Sequence, residues 1–268
     1  MNLNIPYMET DNKLLNDAYR IAAGDIVGNI VYYQNGLLTE EKPCMIAGLD
    51  YNTPWTRDTA INIWNALSIL SPEVSKNTLL AVLEEEEGNI YIGGQYWDSI
   101  IWMIGAREYC RFHKDDNFYR LAFEAGRNSV HRLEEDEFDE EDGLFRGPAV
   151  YGDGIAAYPD KYSKCPNQGS GILEWVDYPG NPVYPKGYGI PMKALSTNCV
   201  YFKAYEILAE MAHALGEPAK EFEEKAAAMN VYERTQQRLK TVFDLFDNIY
   251  VSFSGGKDSG VLLNLCID

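Results

Sequence analysis

Apolar residues recur through the first 230 positions at the three- and four-residue spacing of amphipathic helices. Over residues 11–34, Leu14, Leu15, Ala18, Tyr19, Ala22 and Ile26 share one face, and Asp11 is the expected N-cap. A second helix is predicted from Thr56, with Ile61, Ile63, Trp64, Leu67 and Leu70 apolar. It stops at Ser71-Pro72, because proline cannot donate to the preceding turn. Further helices are expected over residues 74–86, 95–112, 116–134 and 196–214. Gly216 closes the last of them, and Pro218 sets the first turn of another. Residues 138–194, rich in Gly, Pro and Tyr, are too long for a plain connection, so a functional loop system with short strands is expected there. This alternation of helix, elaborate loop and helix suits helical hairpins set in a ring, with the loops of one end forming a binding face.

The pattern changes near Met229 and Asn230. Residues 231–246 still read as helix, with Leu239, Val242, Phe243 and Phe246 apolar. Ile249, Tyr250, Val251 and Phe253 then form a buried-strand run that leads directly into a glycine loop, the start of an α/β unit. Two domains are therefore expected, residues 1–229 and 230–268.

Composition bounds the function. With 46% hydrophobic and 13% aromatic residues, the 268-residue chain has ample material for a core. A net charge of −18 argues against a nucleic-acid or anionic-membrane surface. No run approaches membrane-spanning length, and residues 1–7 lack the basic-then-apolar order of a leader, so the expected compartment is the cytoplasm. The acidic runs at residues 84–87 and 134–142 are read as solvated helix ends or loops. The five cysteines are scattered without a CxxC pair, so neither zinc nor a disulfide framework is indicated, and Cys110 and Cys199 are expected as small core residues. His113, His131 and His213 lie far apart on helical stretches and suggest neither a triad nor a metal centre.

Candidate chemistry starts at Trp55-Thr56-Arg57-Asp58, after Tyr51-Asn52-Thr53-Pro54. A neighbouring guanidinium and carboxylate can grip vicinal sugar hydroxyls with Trp55 as a stacking platform; equally, they can form a weak ion pair at a helix start. Further segments extend the pattern: Ala47-Gly48-Leu49-Asp50-Tyr51, Gln95-Tyr96-Trp97-Asp98, Gly147-Pro148-Ala149-Val150-Tyr151-Gly152-Asp153-Gly154-Ile155-Ala156-Ala157-Tyr158-Pro159, and Thr197-Asn198-Cys199-Val200-Tyr201. In order and spacing, residues 8–228 resemble the six-hairpin (α/α)6-barrel glycosidases, the group that includes glucoamylase-like, trehalase-like and processing α-glucosidase families. The resemblance implies a mainly α fold, an incomplete (α/α)6 toroid, that needs no cofactor and acts on a saccharide by inverting, exo-acting hydrolysis. Arg57 and Asp58 inherit a substrate-binding role, joined by Trp55, Trp97, Asp98 and Tyr151. Asp153, between two glycines, is the candidate general acid, with Asp98 the second choice. The family's general base comes from the later part of the barrel, for which no matching segment follows. Impaired turnover, or a carbohydrate-binding module without catalysis, is therefore expected.

The C-terminal loop reads Ser254, Gly255, Gly256, Lys257, Asp258, Ser259. Its glycines permit a tight turn whose amides face a phosphate, the two hydroxyls can donate, and Lys257 adds a cation. The spacing differs from the Walker loop and resembles the PP-loop of ATP-pyrophosphatase and phosphoadenylyl-sulfate-reductase-like proteins. That resemblance implies ATP or a related adenylyl nucleotide as ligand in a complete domain, and an alternative reading of the chain as part of a nucleotide-dependent enzyme. With so short a piece of the domain, no specific ATP affinity is expected.

Overall fold

The computed structural model describes residues 5–94, 97–141, 143–147 and 193–229, together with residues 236, 240 and 243–245. The chain divides into two compact units, Met1–Ala226 and Ala227–Asp268. The first is mainly helical, with three small antiparallel strand pairs among the described residues. No helix among the described residues is long and apolar enough to cross a membrane.

The chain opens with α1 (Lys13–Gly28), capped by Asn12 rather than by Asp11: the Asn12 side chain accepts from the amides of Leu14 and Leu15 at 3.0 and 3.2 Å. The helix ends before the expected residue 34. Ile30-Val31-Tyr32-Tyr33 is β-branched and aromatic, and it forms β1 (Ile30–Tyr33), antiparallel to β2 (Lys42–Met45) with Ile30 opposite Met45. The face predicted to be internal is not buried: no α1 residue is buried, and Leu14 is 81% exposed.

The second predicted helix forms as α2 (Thr56–Asn62), a π-helical turn (Ile63–Leu67) and α3 (Ser68–Leu70), ending at Pro72. Ile63 and Leu67 are fully buried, whereas Trp64 is exposed. Then α4 (Pro72–Ala81) stops short of the expected residue 86, and the acidic run becomes β3 (Leu83–Glu86), paired with β4 (Asn89–Ile92). The reason is the turn: Glu87 and Gly88 both have positive φ, 52° and 81°, the two-residue hairpin geometry that glycine favours. The hairpin is fastened to α6 (Asp116–Glu137). Ile92 donates its amide to Ser129 Oγ at 2.8 Å, and Arg132 grips Glu86 with two hydrogen bonds while lying 3.4 Å over the Tyr91 ring.

The remaining elements are α5 (Trp97–Phe112), β5 (Phe138–Asp139), β6 (Leu144–Phe145), α7 (Leu195–Leu215) and α8 (Lys220–Ala228). They sort into two layers. Thr56 lies beside Gly94 and Asp98, and Ala60 against Ile101 and Gly105, so α2 and α5 run in the same direction. Val200 packs with Ile101 and Ala60, and Arg107 bonds Glu210 at 2.7 Å, which makes α7 parallel to α5 as well. Against them, α4 and α6 run in reverse. Leu79 accepts from the Trp102 indole and Lys76 reaches Asp115, while Phe118 meets Tyr109 and Gly126 meets Met103. α8 follows the direction of α6, with Glu221 at His131 and Lys225 at Glu134. The layers bury Trp102, Tyr201, Tyr205, Phe118 and Phe145 between them. Cys110 is half-buried; Cys199, expected in the core, is exposed because its position on α7 faces away from the layer that buries Asn198 and Tyr201.

Where α2 and α5 touch there is no room for a side chain. A Cβ at Gly105 would stand 2.8 Å from Ala60 Cα and 2.9 Å from Ala60 O, backbone atoms that cannot swing aside. In a free helix Gly→Ala stabilises by about 1 kcal/mol; here Gly105→Ala is expected to destabilise by about 1–3 kcal/mol through overpacking. The sign of the change in urea-induced unfolding free energy checks the contact.

Candidate saccharide site

Because α2, α5 and α7 are parallel, their N-termini and the loops that precede them share one face. Trp55 is half-buried and meets the exposed Tyr51 edge-on, with ring centroids 5.7 Å apart. Arg57 and Asp58 occupy the first turn of α2; the Arg57 side chain is 15% exposed, and its Nε lies 3.8 Å from Asp58 Oδ2. At that separation the two form an ion pair across the first turn, longer than a direct hydrogen bond. Buried Thr56 ties the turn to the α5 loop by donating from Oγ1 to the Gly93 carbonyl at 2.9 Å. Gly94, at φ +103°, fills the gap: a Cβ there would come within 3.0 Å of Asp98 Cβ and 3.1 Å of Thr56 Oγ1. The two sequence motifs around Arg57-Asp58 and Asp98 thus meet across one glycine.

The third element of the face is held by Asn198, which is buried on the first turns of α7. Its Oδ1 accepts from the Phe145 amide at 2.8 Å, and its Nδ2 donates to the carbonyls of Phe145 and Ala194 at 3.1 and 3.0 Å. Phe145 stacks on Tyr201, with ring centroids 3.6 Å apart. Gly147 and Lys193 pair as a parallel bridge, so the chain leaves and re-enters the described fold at one point. Asp139 serves both sides of that junction, accepting from Arg146 at 2.9 Å and Lys193 at 2.7 Å on one oxygen. The Lys193 contact foremost, with Arg146 beside it, holds the Asp139 carboxyl down to about 2.

Among the expected site residues, Arg57 and Asp58 lie in the first turn of α2 beside Trp55, and Asp98 in the first turn of α5, where its Cβ and Thr56 flank Gly94. The side chain of Trp97, all of Tyr151 and Asp153, and the loop residues Ser254, Gly255, Gly256, Lys257, Asp258 and Ser259 lie outside the described residues. Burial pushes the Cys44 and Cys110 thiols up to about 12. His113 is engaged with the Ser68 carbonyl at 2.6 Å.

The sequence reading missed Glu137. It falls in an acidic run taken as solvated, yet it lies seven and fourteen residues after Val130 and Phe123 on the buried stripe of α6, and is only 6% exposed. It lines a cavity of about 180 Å³ between the β3–β4 hairpin, the start of α5 and the end of α6, together with Tyr91, Ser99, Ser129, Arg132 and Asp136. Its Oε2 has no hydrogen-bond partner among the described residues. Burial first, and the neighbouring Asp136 charge second, push Glu137 up to about 8 against the opposing pull of Arg146.

No family model, no curated protein and no solved structure matches the chain.

Glu137 gives a signed pH dependence. Its unfolded value is 4.5 and its folded value about 8, so between these pH values the folded state keeps a proton that the unfolded state releases. Stability consequently falls as pH rises through that window and levels off above it, at a slope of up to about 1.4 kcal/mol per pH unit. Glu137→Gln, which mimics the protonated acid, is expected to match wild type near pH 5 and to be the more stable by on the order of a few kcal/mol near pH 9. Urea unfolding across pH tests this, and parallel profiles for the two proteins would refute it.

Proposed function

We propose that the face formed by the starts of α2, α5 and α7 binds a saccharide, and that residues 8–228 are a partial six-hairpin toroid of the (α/α)6 glycosidase type. One observation supports the reading: the Trp55–Asp58 segment, through Thr56, abuts Gly94 and Asp98 at the N-termini of two parallel helices. The layering of α2, α5 and α7 against reversed α4 and α6, with α8 alongside α6, supports the toroid.

The chemistry follows from the donor set. The Arg57 guanidinium offers paired donors and Asp58 and Asp98 offer acceptors, the complement of adjacent ring hydroxyls that both donate and accept. Trp55, and Tyr51 beside it, supply flat apolar surface for the C–H face of a pyranose. Asp58 and Asp98 lie in the first turns of α2 and α5, where the positive helix end suits acidic side chains. In the hydrolytic reading Asp153 protonates the departing glycosidic oxygen. In an inverting reaction, a second carboxylate about 6.5–9.5 Å away activates water; no residue of this chain is assigned to that role. The saccharide site is thus proposed first as a binding site, to which Asp153 adds acid catalysis. The Ser254 loop falls within the unit Ala227–Asp268, apart from these residues in the chain, and is proposed as a nucleotide-loop element without a role at the saccharide face.

Saccharide binding is testable by ligand-observed NMR with disaccharides of common hexoses in both anomeric linkages. Wild type is expected to bind at least one of them at millimolar concentration or below. Arg57→Met and Asp58→Asn are each expected to weaken that binding tenfold or more without changing the unfolding midpoint by more than a few degrees. Asp153→Asn should keep binding and abolish whatever aryl-glycoside hydrolysis wild type shows. Absence of binding by every sugar, or binding indifferent to Arg57 and Asp58, overturns the reading.

A further inference from the structure

On the outer layer, α8 meets α6 through side chains: Phe222 packs edge-on against Phe123, with ring centroids 6.0 Å apart. Beside this contact, His131 and Glu134 on α6 and Glu221 in the first turn of α8 turn toward one another, and each offers a ligand atom within 4.8 Å of the others. His131 Nε2 stands 2.9 Å from Glu221 Oε1, and the imidazole stacks on Phe222 with 21° between planes, which fixes its orientation. Glu134 is oriented from the protein side. The buried Tyr205 hydroxyl donates to its Oε1, and the Lys225 ammonium lies 3.1 Å from the same atom. Both contacts fall on Oε1 and leave Oε2 for a further ligand.

One imidazole nitrogen and two carboxylates on packed helices, with one carboxylate braced by a buried hydroxyl, make the mixed N/O donor set that divalent ions of borderline softness favour. We propose that His131, Glu134 and Glu221 form a site for a divalent transition-metal ion of the zinc class, which clips α8 to α6. Three protein donors leave further positions for water, as suits a site where His131 and Glu221 reach the surface. In the metal-free state Lys225 offsets the paired carboxylates. A bound dication takes over that role, so the lysine opposes binding through like charge. All three ligands lie on α6 and α8, whereas the proposed saccharide face lies at the starts of α2, α5 and α7.

The test uses the full chain stripped with chelator, titrated calorimetrically with Zn²⁺ and, for its visible spectrum, with Co²⁺. One ion per chain is expected at this site, with a Co²⁺ spectrum of N/O ligation lacking thiolate charge-transfer bands. His131→Ala and Glu221→Gln should each weaken binding at least tenfold, and Lys225→Gln should tighten it several-fold. The ion should raise Tm in wild type but not in His131→Ala. Because Glu221 is exposed, Glu221→Gln keeps the test open if His131→Ala fails to fold. No binding up to millimolar Zn²⁺ overturns the proposal, as does binding equally tight in wild type, His131→Ala and Glu221→Gln, which would put the ion elsewhere.

Discussion

The contact of Gly105 with Ala60 is the constraint on which the arrangement of the helices depends. It brings two helix backbones together without an intervening side chain, and it does so between helices that run in the same direction. Parallel neighbours place their N-termini side by side, an unfavourable juxtaposition of like dipole ends. Two features offset it here. The adjoining α4 and α6 run in reverse, and the first turns of α2 and α5 carry Asp58 and Asp98. Thus the carboxylates read as sugar-binding groups also neutralise the positive ends that the packing crowds together. Stability and site chemistry ask for the same residues at the same places.

The outer layer solves a different problem, that of a chain with net charge −18. Surface carboxylates alone would repel, and isolated surface pairs contribute little. The acidic residues near α6 are instead tied to shape. Arg132 joins Glu86 while covering Tyr91, so the hairpin is held by a charge pair and ring contact together. Glu134 holds both Tyr205 and Lys225. Each of these cations touches an apolar surface as well as an acid, which makes its pairing a packing interaction.

What the sequence made legible was the periodicity: the helices from Thr56, Trp97, Asp116 and Leu195 appear close to where their apolar spacing puts them. Periodicity says which face is apolar but not what covers it, and α1 has its stripe while burying no residue. It is also blind to turn conformation. Four successive glutamates are good helix formers, but positive φ at Glu87 and Gly88 folds them back as a hairpin. At the candidate site, Arg57-Asp58 and Asp98 were legible as motifs; the meeting of Thr56 with Gly94 and Asp98 was not, because it depends on Thr56 reaching Gly93 across 37 positions of chain. Glu137 was hidden by its neighbours. Its heptad spacing from Val130 marked it as internal, whereas the acidic run around it suggested solvent.

Glu137 and Asp139 show how local geometry can override composition. The two carboxylates are separated by one residue, at the point where α6 gives way to β5, yet they sit on opposite sides of neutrality. One is pushed up to about 8 by burial, and the other is held down to about 2 by the cations of Lys193 and Arg146. Their pH consequences therefore have opposite signs. The Asp139 contribution is in force above its ordinary value of 3.8 and is lost as pH falls through about 2. The Glu137 penalty instead grows as pH climbs from 4.5 to about 8. Between them they set an acidic-to-neutral range in which the junction is strongest. Since Asp139 also joins Arg146 to Lys193, that range applies to the Gly147–Lys193 bridge as well. A neutral acid and a charged acid two positions apart thus tie the packing at the end of α6 to the pH of its surroundings.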